Sequence, residues 1–235
     1  VVRVVQVVQV DAADRGLVDH RDQRILPRLR AVTEQVRALL NGDRVTLSAV
    51  PAARALRLGQ PPVPDLPIWL AATGERTIRV AADLADGWYP LYLRPGRVRE
   101  LGAGLAGPRA ATHPLTVAAG PFTVVDPDVA AARATAAECT AAYLGVMGDI
   151  YPEVLARQGL ATEVGLVRAT RTIPAEAQIL LDEFTAYGTA ATVREQLERW
   201  DAVTDITMVG LPPGLSWPRL EATIRACAPR LAAAR

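Results

Sequence analysis

An α/β fold built on a parallel sheet is what this sequence predicts, and three observations predict it. Apolar strand-like runs alternate with helix-period segments along most of the chain. Residues 67–93 read strand–turn–helix–strand in direct succession. No hairpin signal joins two strand-like runs. From pattern alone a doubly wound sheet and a barrel both satisfy this alternation, and there is no internal repeat beyond the β–α unit itself.

The elements follow in order. Val1 to Val10 is rich in β-branched residues and is read as a strand, although Arg3, Gln6 and Gln9 fall at every third place and match neither strand nor helix period. Ile25, Leu29, Val32, Val36, Leu39 and Leu40 recur at helical spacing, and Asn41-Gly42 ends that helix with residues suited to left-handed backbone. Residues 45–59 are irregular and run into the proline-rich segment 59–67, where helix is forbidden; it serves as a stiff connector, with a polyproline ligand as the alternative. Pro67 to Ala72 is a short strand, Thr73 to Thr77 a turn able to cap a helix, and Ile78 to Leu84 a helix stopped by Asp86-Gly87. Trp88 to Leu93 is the next strand, completing a β–α–β unit whose strands lie parallel with a right-handed crossover. Arg97 to Leu105 is a helix and Leu115 to Val125 a long strand. Asp126-Pro127 opens a helix to about Tyr143, with Asp126 as N-cap and Pro127 at the first helical position. Ile150 to Gln158 is a helix ended by Gly159, residues 160–180 are ambiguous, and Thr189 to Val203 is a helix with Val193, Leu197 and Trp200 on one face. Asp205 to Leu211 is a strand, and Ser216-Trp217-Pro218 opens a last helix.

Composition excludes several classes. The chain has 235 residues, half of them apolar and 22% charged, enough to bury a core. The 26 basic and 25 acidic side chains nearly cancel and form no block, so no nucleic-acid surface is expected. No apolar run approaches the roughly 18 residues needed to cross a bilayer. Two cysteines, Cys139 and Cys227, make neither a disulfide framework nor metal-ligand spacing, and no metal is expected. A soluble, cytoplasmic protein is the reading. Lysine is absent and Asn41 is the only asparagine, as a GC-rich genome would give. The chain opens on Val1, which is read as a processed start or a piece of something longer.

Chemistry could reside where a strand ends in a glycine-containing turn and feeds a helix, because the first backbone N–H groups of a helix face outward at its positive end and hold phosphate well. Ala72, Thr73, Gly74, Glu75, Arg76 and Thr77 meet that description. Thr73 and Thr77 offer hydroxyls and Arg76 a guanidinium. Any α/β turn looks roughly so, and this one is neither a G-x-G-x-x-G fingerprint nor a Walker loop. His20 and His113 are read as loop histidines, Cys139 as core filler, and Asp182-Glu183 as neighbours that do not share a site. Trp88, Tyr89, Tyr92, Trp200 and Trp217 are read as core or pocket-wall aromatics.

The run Pro67-Ile-Trp-Leu-Ala-Ala-Thr-Gly-Glu-Arg-Thr-Ile-Arg-Val-Ala-Ala-Asp-Leu-Ala-Asp-Gly-Trp88 resembles the strand–turn–helix–Ala-Asp-Gly signature of the luciferase-like monooxygenase superfamily, which holds bacterial luciferase and reductases using the deazaflavin coenzyme F-420. Ile25 to Val45, Val124 to Arg133 with Tyr143-Leu-Gly145, Tyr187 to Val193 and Asp205 to Val209 are similar to flanking segments of the same family, so the resemblance covers about residues 20–228.

The resemblance implies a (β/α)8 barrel of the TIM type that binds FMN or coenzyme F-420 at the C-terminal ends of its strands. The turn after the fifth strand would grip the cofactor phosphate, which assigns cofactor binding to Ala72, Thr73, Gly74, Glu75, Arg76 and Thr77. Strands five to eight and their helices are covered, strands one to three are not, and Val1 to Val10 stands where the fourth belongs. Residues 1–235 are thus read as one partial barrel domain, with 45–66 as its irregular, proline-rich insertion. The missing strands hold most groups that face the reactive ring, so no residue is assigned a catalytic role. The implied activity is that of a flavin- or deazaflavin-dependent oxidoreductase, moving a hydride between coenzyme F-420 or FMN and a small organic substrate, with monooxygenation open to the FMN form. A truncated, non-catalytic flavin-binding or structural partner protein is the alternative. Homodimers are expected, with neither nucleic acid nor membrane as partner.

Overall fold

The computed structural model describes residues 6–8, 18–47, 52, 54–105 and 112–228; the remainder of the expected first strand lies outside them. The chain divides into two compact units, Val1–Pro90 with Leu101–Val117, and Leu91–Glu100 with Ala118–Arg235.

The first unit contains β1 (Gln6–Val8), α1 (Val18–Leu40), β2 (Ile68–Leu70), α2 (Glu75–Leu84) and β3 (Gly87–Trp88). β1 pairs with β2 and β2 with β3, both parallel, with Val7 opposite Trp69 and Leu70 opposite Trp88. Gly42 ends α1 at a φ of 90°, its N–H on the Leu39 carbonyl. The helix starts earlier than its apolar spacing suggests and runs through Pro27, which removes one N–H from its ladder. Ile68 and Leu70 project from the same face of β2 and pack with Leu29 of α1 and Val80 and Ala81 of α2. Burying each large aliphatic side chain of that layer contributes about 1.5–3 kcal/mol, which holds the helices on the strands. Among the described residues between α1 and β2, Val45 and Leu56 form an antiparallel bridge.

Trp69 points to the opposite face of β2, because successive strand residues alternate. Its ring lies over Gly87, where an added Cβ would stand 2.3 Å from Cδ2 and Cε3. The neighbouring Asp86 carboxylate accepts the Ile68 N–H at 2.8 Å and pairs with the Arg37 guanidinium of α1. Arg37 also donates to the Leu66 carbonyl at 3.0 Å. Asp86-Gly87, the last part of the recognisable stretch, therefore fastens α1, β2 and β3 together.

β3 is shorter than the strand expected over 88–93. Pro90 has no N–H for a ladder, and Tyr92 turns left-handed at a φ of 58°. Next come α3 (Pro95–Ala103) and β4 (Thr116–Ala119). The start of β4 lies parallel to β3, with Thr116 opposite Gly87.

The expected strand over 115–125 is two strands. β4 ends at Gly120-Pro121, and β5 (Phe122–Val125) follows. At Gly120 a Cβ would stand 1.8 Å from the Met208 carbonyl oxygen, so the chain bends where two backbones touch and where Pro121 cannot donate. The second unit continues with α4 (Val129–Val146), α5 (Ile150–Ala156), α6 (Ala161–Thr170), a 3-10 turn (Ala175–Ala177), α7 (Ile179–Phe184), β6 (Thr185–Gly188), α8 (Ala190–Asp201), β7 (Ile206–Thr207) and α9 (Trp217–Cys227). The ambiguous stretch 160–180 is thus mostly helical. β5 pairs in parallel with β6 from Phe122 opposite Thr185 to Val125 opposite Gly188, and the end of β4 pairs in parallel with β7.

The cap of α4 is Asp128, which accepts from Ala130 N at 2.9 Å and Ala131 N at 3.2 Å; Asp126 instead pairs with Arg219 at 3.0 Å and accepts the Asp128 N–H. The helix therefore starts two residues later than Asp126-Pro127 predicts. The helix expected from Thr189 starts at Ala190 with Thr189 as its cap, and Val193, Leu197 and Trp200 are buried beneath it. β7 is shorter than the strand expected over 205–211 and regains pairing only at Gly210, opposite Phe122.

Candidate functional site

β2 delivers the chain to the candidate turn, and β3 fixes where it arrives. The Tyr89 N–H donates to the Leu70 carbonyl at 2.9 Å, and the Trp88 indole N–H donates to the Ala72 carbonyl at 2.7 Å. Trp88 is wholly buried, so it is no pocket wall; its indole instead anchors the first residue of the turn. Ala72 is buried, Thr73, Gly74 and Thr77 are half-buried, and Glu75 and Arg76 are exposed.

Gly74, not a residue further on, is the N-cap of α2, so Glu75, Arg76 and Thr77 form the first helical turn. The Thr77 hydroxyl donates to the Gly74 carbonyl at 2.8 Å and accepts the Gly74 N–H at 3.3 Å, which closes the cap on itself. Gly74 has an ordinary extended backbone, φ −104°, and an added Cβ would meet only the Thr77 Oγ1, at 3.6 Å. Neither backbone strain nor packing among the described residues accounts for glycine there. An open position at a helix N-terminus leaves room for an anion to approach the backbone, with Arg76 one residue into the helix. Glu75 sits at the same helix end and sets a negative charge against such an anion.

The other singled-out residues do not join this turn. His113 is exposed, and the side chain of His20 lies outside the described residues, although His20 itself is in α1 rather than a loop. Cys139 is buried on α4, where loss of solvation pushes its thiol up to about 11 and makes it a poor nucleophile. Asp182 is on α7, accepting from Gln178 Nε2 at 2.8 Å. Trp200 is buried, but Trp217 is 72% exposed and belongs to no core. Among the described residues no three or more His, Cys, Asp or Glu side chains are grouped to hold a metal, and no helix is long and apolar enough to cross a membrane. Sequence reasoning missed the supporting residues Asp86 and Arg37. Their only signal was a carboxylate at a helix end beside a strand, which pattern reads as a stop.

A profile of the luciferase-like monooxygenase family matches residues 6–204. A Mycobacterium tuberculosis protein described as a coenzyme F-420-dependent oxidoreductase is 31% identical over 170 residues, covering 64% of this chain and 48% of that protein. The chain thus spans about half the length of the curated relative it matches. Among solved structures, a coenzyme F-420-dependent secondary alcohol dehydrogenase in complex with an F-420–acetone adduct superposes with a TM-score of 0.57 at 15% identity, covering 92% of this chain and 64% of that one. A coenzyme F-420-dependent tetrahydromethanopterin reductase from Methanopyrus kandleri gives 0.53 at 17% identity, covering 79% and 57%. At such identities these two establish the fold alone: parallel α/β architecture of the TIM-barrel type.

Proposed function

Since the chain belongs to the luciferase-like monooxygenase family, we propose that it is part of an oxidoreductase that binds coenzyme F-420 or FMN, and that Ala72, Thr73, Gly74, Glu75, Arg76 and Thr77 hold the cofactor phosphate. The observation that carries this reading is Gly74, open on its Cβ side at the N-terminus of a ten-residue helix. A phosphate fits the donors of that set, to which Glu75 would add only its backbone N–H, its carboxylate opposing the anion. Backbone N–H groups of the first turn would face it, Arg76 would supply positive charge, and the Thr73 hydroxyl is close in sequence. Thr77 contributes by holding the cap, its proton being committed to the Gly74 carbonyl. Trp88 keeps the Ala72 peptide oriented.

When bound, the cofactor would supply two-electron hydride chemistry toward a small organic substrate, and FMN would add oxygen activation. The residues of this chain bind and orient at the phosphate end; none is assigned to the reacting atoms. A second reading is a non-catalytic protein that binds the cofactor without turnover. A homodimer and a cytoplasmic location accompany the main reading. Two cysteines that form no disulfide agree with a reducing compartment, and sedimentation at several concentrations tests the dimer.

The test is a fluorescence titration with coenzyme F-420 and, separately, with FMN. Saturable micromolar binding of one is expected. Replacing Arg76→Ala together with Gly74→Val should weaken it at least tenfold, about 1.4 kcal/mol. A folded double variant with unchanged affinity would remove the phosphate assignment. Binding without consumption of any substrate would support the second reading.

A further inference from the structure

Tyr92 has a backbone that its side chain does not favour. It and Arg171 are the only non-glycine residues with positive φ among the described residues, both at 58°. Arg171 is a helix C-cap, where that conformation is routine. Tyr92 lies in a strap, Leu91–Arg94, that follows the C-terminal end of β3. A bulky residue in the left-handed region is strained and persists only where its surroundings over-determine it.

Two sets of contacts do so. The Gln158 carboxamide, just beyond α5, grips the strap from both sides: its Nε2 donates to the Tyr92 carbonyl at 2.8 Å and its Oε1 accepts the Arg94 N–H at 2.9 Å. The same Nε2 reaches the Val154 carbonyl at 3.1 Å, tying the latch to α5. The phenol ring sits among Phe122, Tyr143, Tyr151 and Phe184, with centroid separations of 6.0, 5.9, 5.1 and 5.6 Å and tilts of 49–52°. Only 5% of Tyr92 is exposed. Burial raises its pKa and the neighbouring Thr140 hydroxyl pulls it the other way, yet neither hydroxyl makes a well-formed hydrogen bond among the described residues. One ring thus fills a ring-lined space, with an unsatisfied hydroxyl at its polar end and a strained backbone behind it.

We propose that Tyr92 is a displaceable plug. The space its ring occupies among Phe122, Tyr143, Tyr151 and Phe184 is a binding site for a phenol-sized planar aromatic molecule, and Gln158 is the latch that keeps it filled. Releasing the latch lets Tyr92 relax out of the left-handed region, and that rotation withdraws the ring. An incoming phenol regains the same tilted ring contacts and brings its hydroxyl to Thr140 without the backbone strain. Loops at the C-terminal ends of barrel strands are where such sites are ordinarily built.

Phenol itself is the probe, with two measurements on the 235-residue chain. Calorimetric titration should show Tyr92→Gly binding phenol at least tenfold tighter than the unmodified chain, since glycine removes the ring and accepts the positive φ. In the unmodified chain, saturating phenol should accelerate amide hydrogen exchange at Arg94, because displacing the plug breaks the bond from the Arg94 N–H to the Gln158 carboxamide. A folded Tyr92→Gly variant with no gain overturns the proposal. A gain without faster exchange in the unmodified chain marks an engineered cavity in an ordinary core and overturns it too. If Tyr92→Gly does not fold, the exchange measurement decides alone: faster exchange supports the plug, and unchanged or slower exchange overturns it.

Discussion

Substituting Gly87 by alanine drives a methyl group into the ring of Trp69. The added Cβ would stand 2.3 Å from Cδ2 and Cε3, against an ordinary carbon–carbon contact of about 3.5–4.0 Å. The overlap exceeds an ångström and falls on the fused part of the indole, so no terminal torsion can step aside. Either the whole ring swings off β3 or the β2–β3 ladder opens at the Trp69–Gly87 pair. Overpacking of this kind costs about 1–3 kcal/mol, and a rigid ring places it at the upper end. The smaller entropy loss of alanine returns about 0.5 kcal/mol, leaving a net loss of about 2.5 kcal/mol and a Tm lower by about 5–10 °C. Urea denaturation followed by far-UV circular dichroism measures it. The decisive comparison uses Trp69→Leu as a second background. With the ring gone, Gly87→Ala should cost less than about 0.5 kcal/mol, giving a coupling energy of about 2 kcal/mol between the two positions. Equal costs in both backgrounds would refute the steric account and with it the stated reason for glycine in Ala-Asp-Gly.

Trp88→Phe removes the indole N–H from the Ala72 carbonyl and part of the buried ring volume; stability should fall by about 2–3 kcal/mol, and affinity for a phosphate-bearing cofactor should fall with it, as titration of the folded variant will show. Alkaline pH should destabilise the second unit. The Cys139 thiol holds its proton in the native state up to about 11 but ionises near 9.0 when unfolded. The native state therefore keeps the extra proton between those values, and stability is full below about 9 and declines as pH climbs through that window. Burial of Tyr92 pushes the same way. Denaturation midpoints at stepped pH check this, and a Cys139→Ala variant with an identical slope would count against the thiol's share.

Local chemistry made much of the fold readable. Gly42 stands where α1 stops, and α8 starts within one residue of Thr189, because those effects act within a few residues; α5 stops at Ala156, slightly ahead of Gly159. The candidate turn was legible for the same reason, as one strand end feeding one amphipathic helix. What failed depends on partners far along the chain. Residues 115–125 look like one apolar strand until Met208 meets Gly120. Asp126 looks like a cap until Arg219 claims its carboxylate, leaving the cap to Asp128. The hydrogen-bonding role of Trp88 and the bridge from Asp86 to Arg37 were hidden likewise, since a pattern of apolar positions cannot say which carbonyl an indole will meet.

Gly120 and Gly74 differ in what constrains them, and that difference would leave a mark on descent. At Gly120 every other amino acid is barred by the Met208 backbone, whatever the protein binds. Lineages that lose the activity should keep that glycine as long as they keep the fold. At Gly74 nothing among the described residues forbids a side chain. Under the proposed phosphate assignment, a lineage released from its ligand should drift there first, while one still under selection should hold glycine at both positions. On that proposal the pair is an internal clock and its control: one residue would record the persistence of the architecture, the other the persistence of its use.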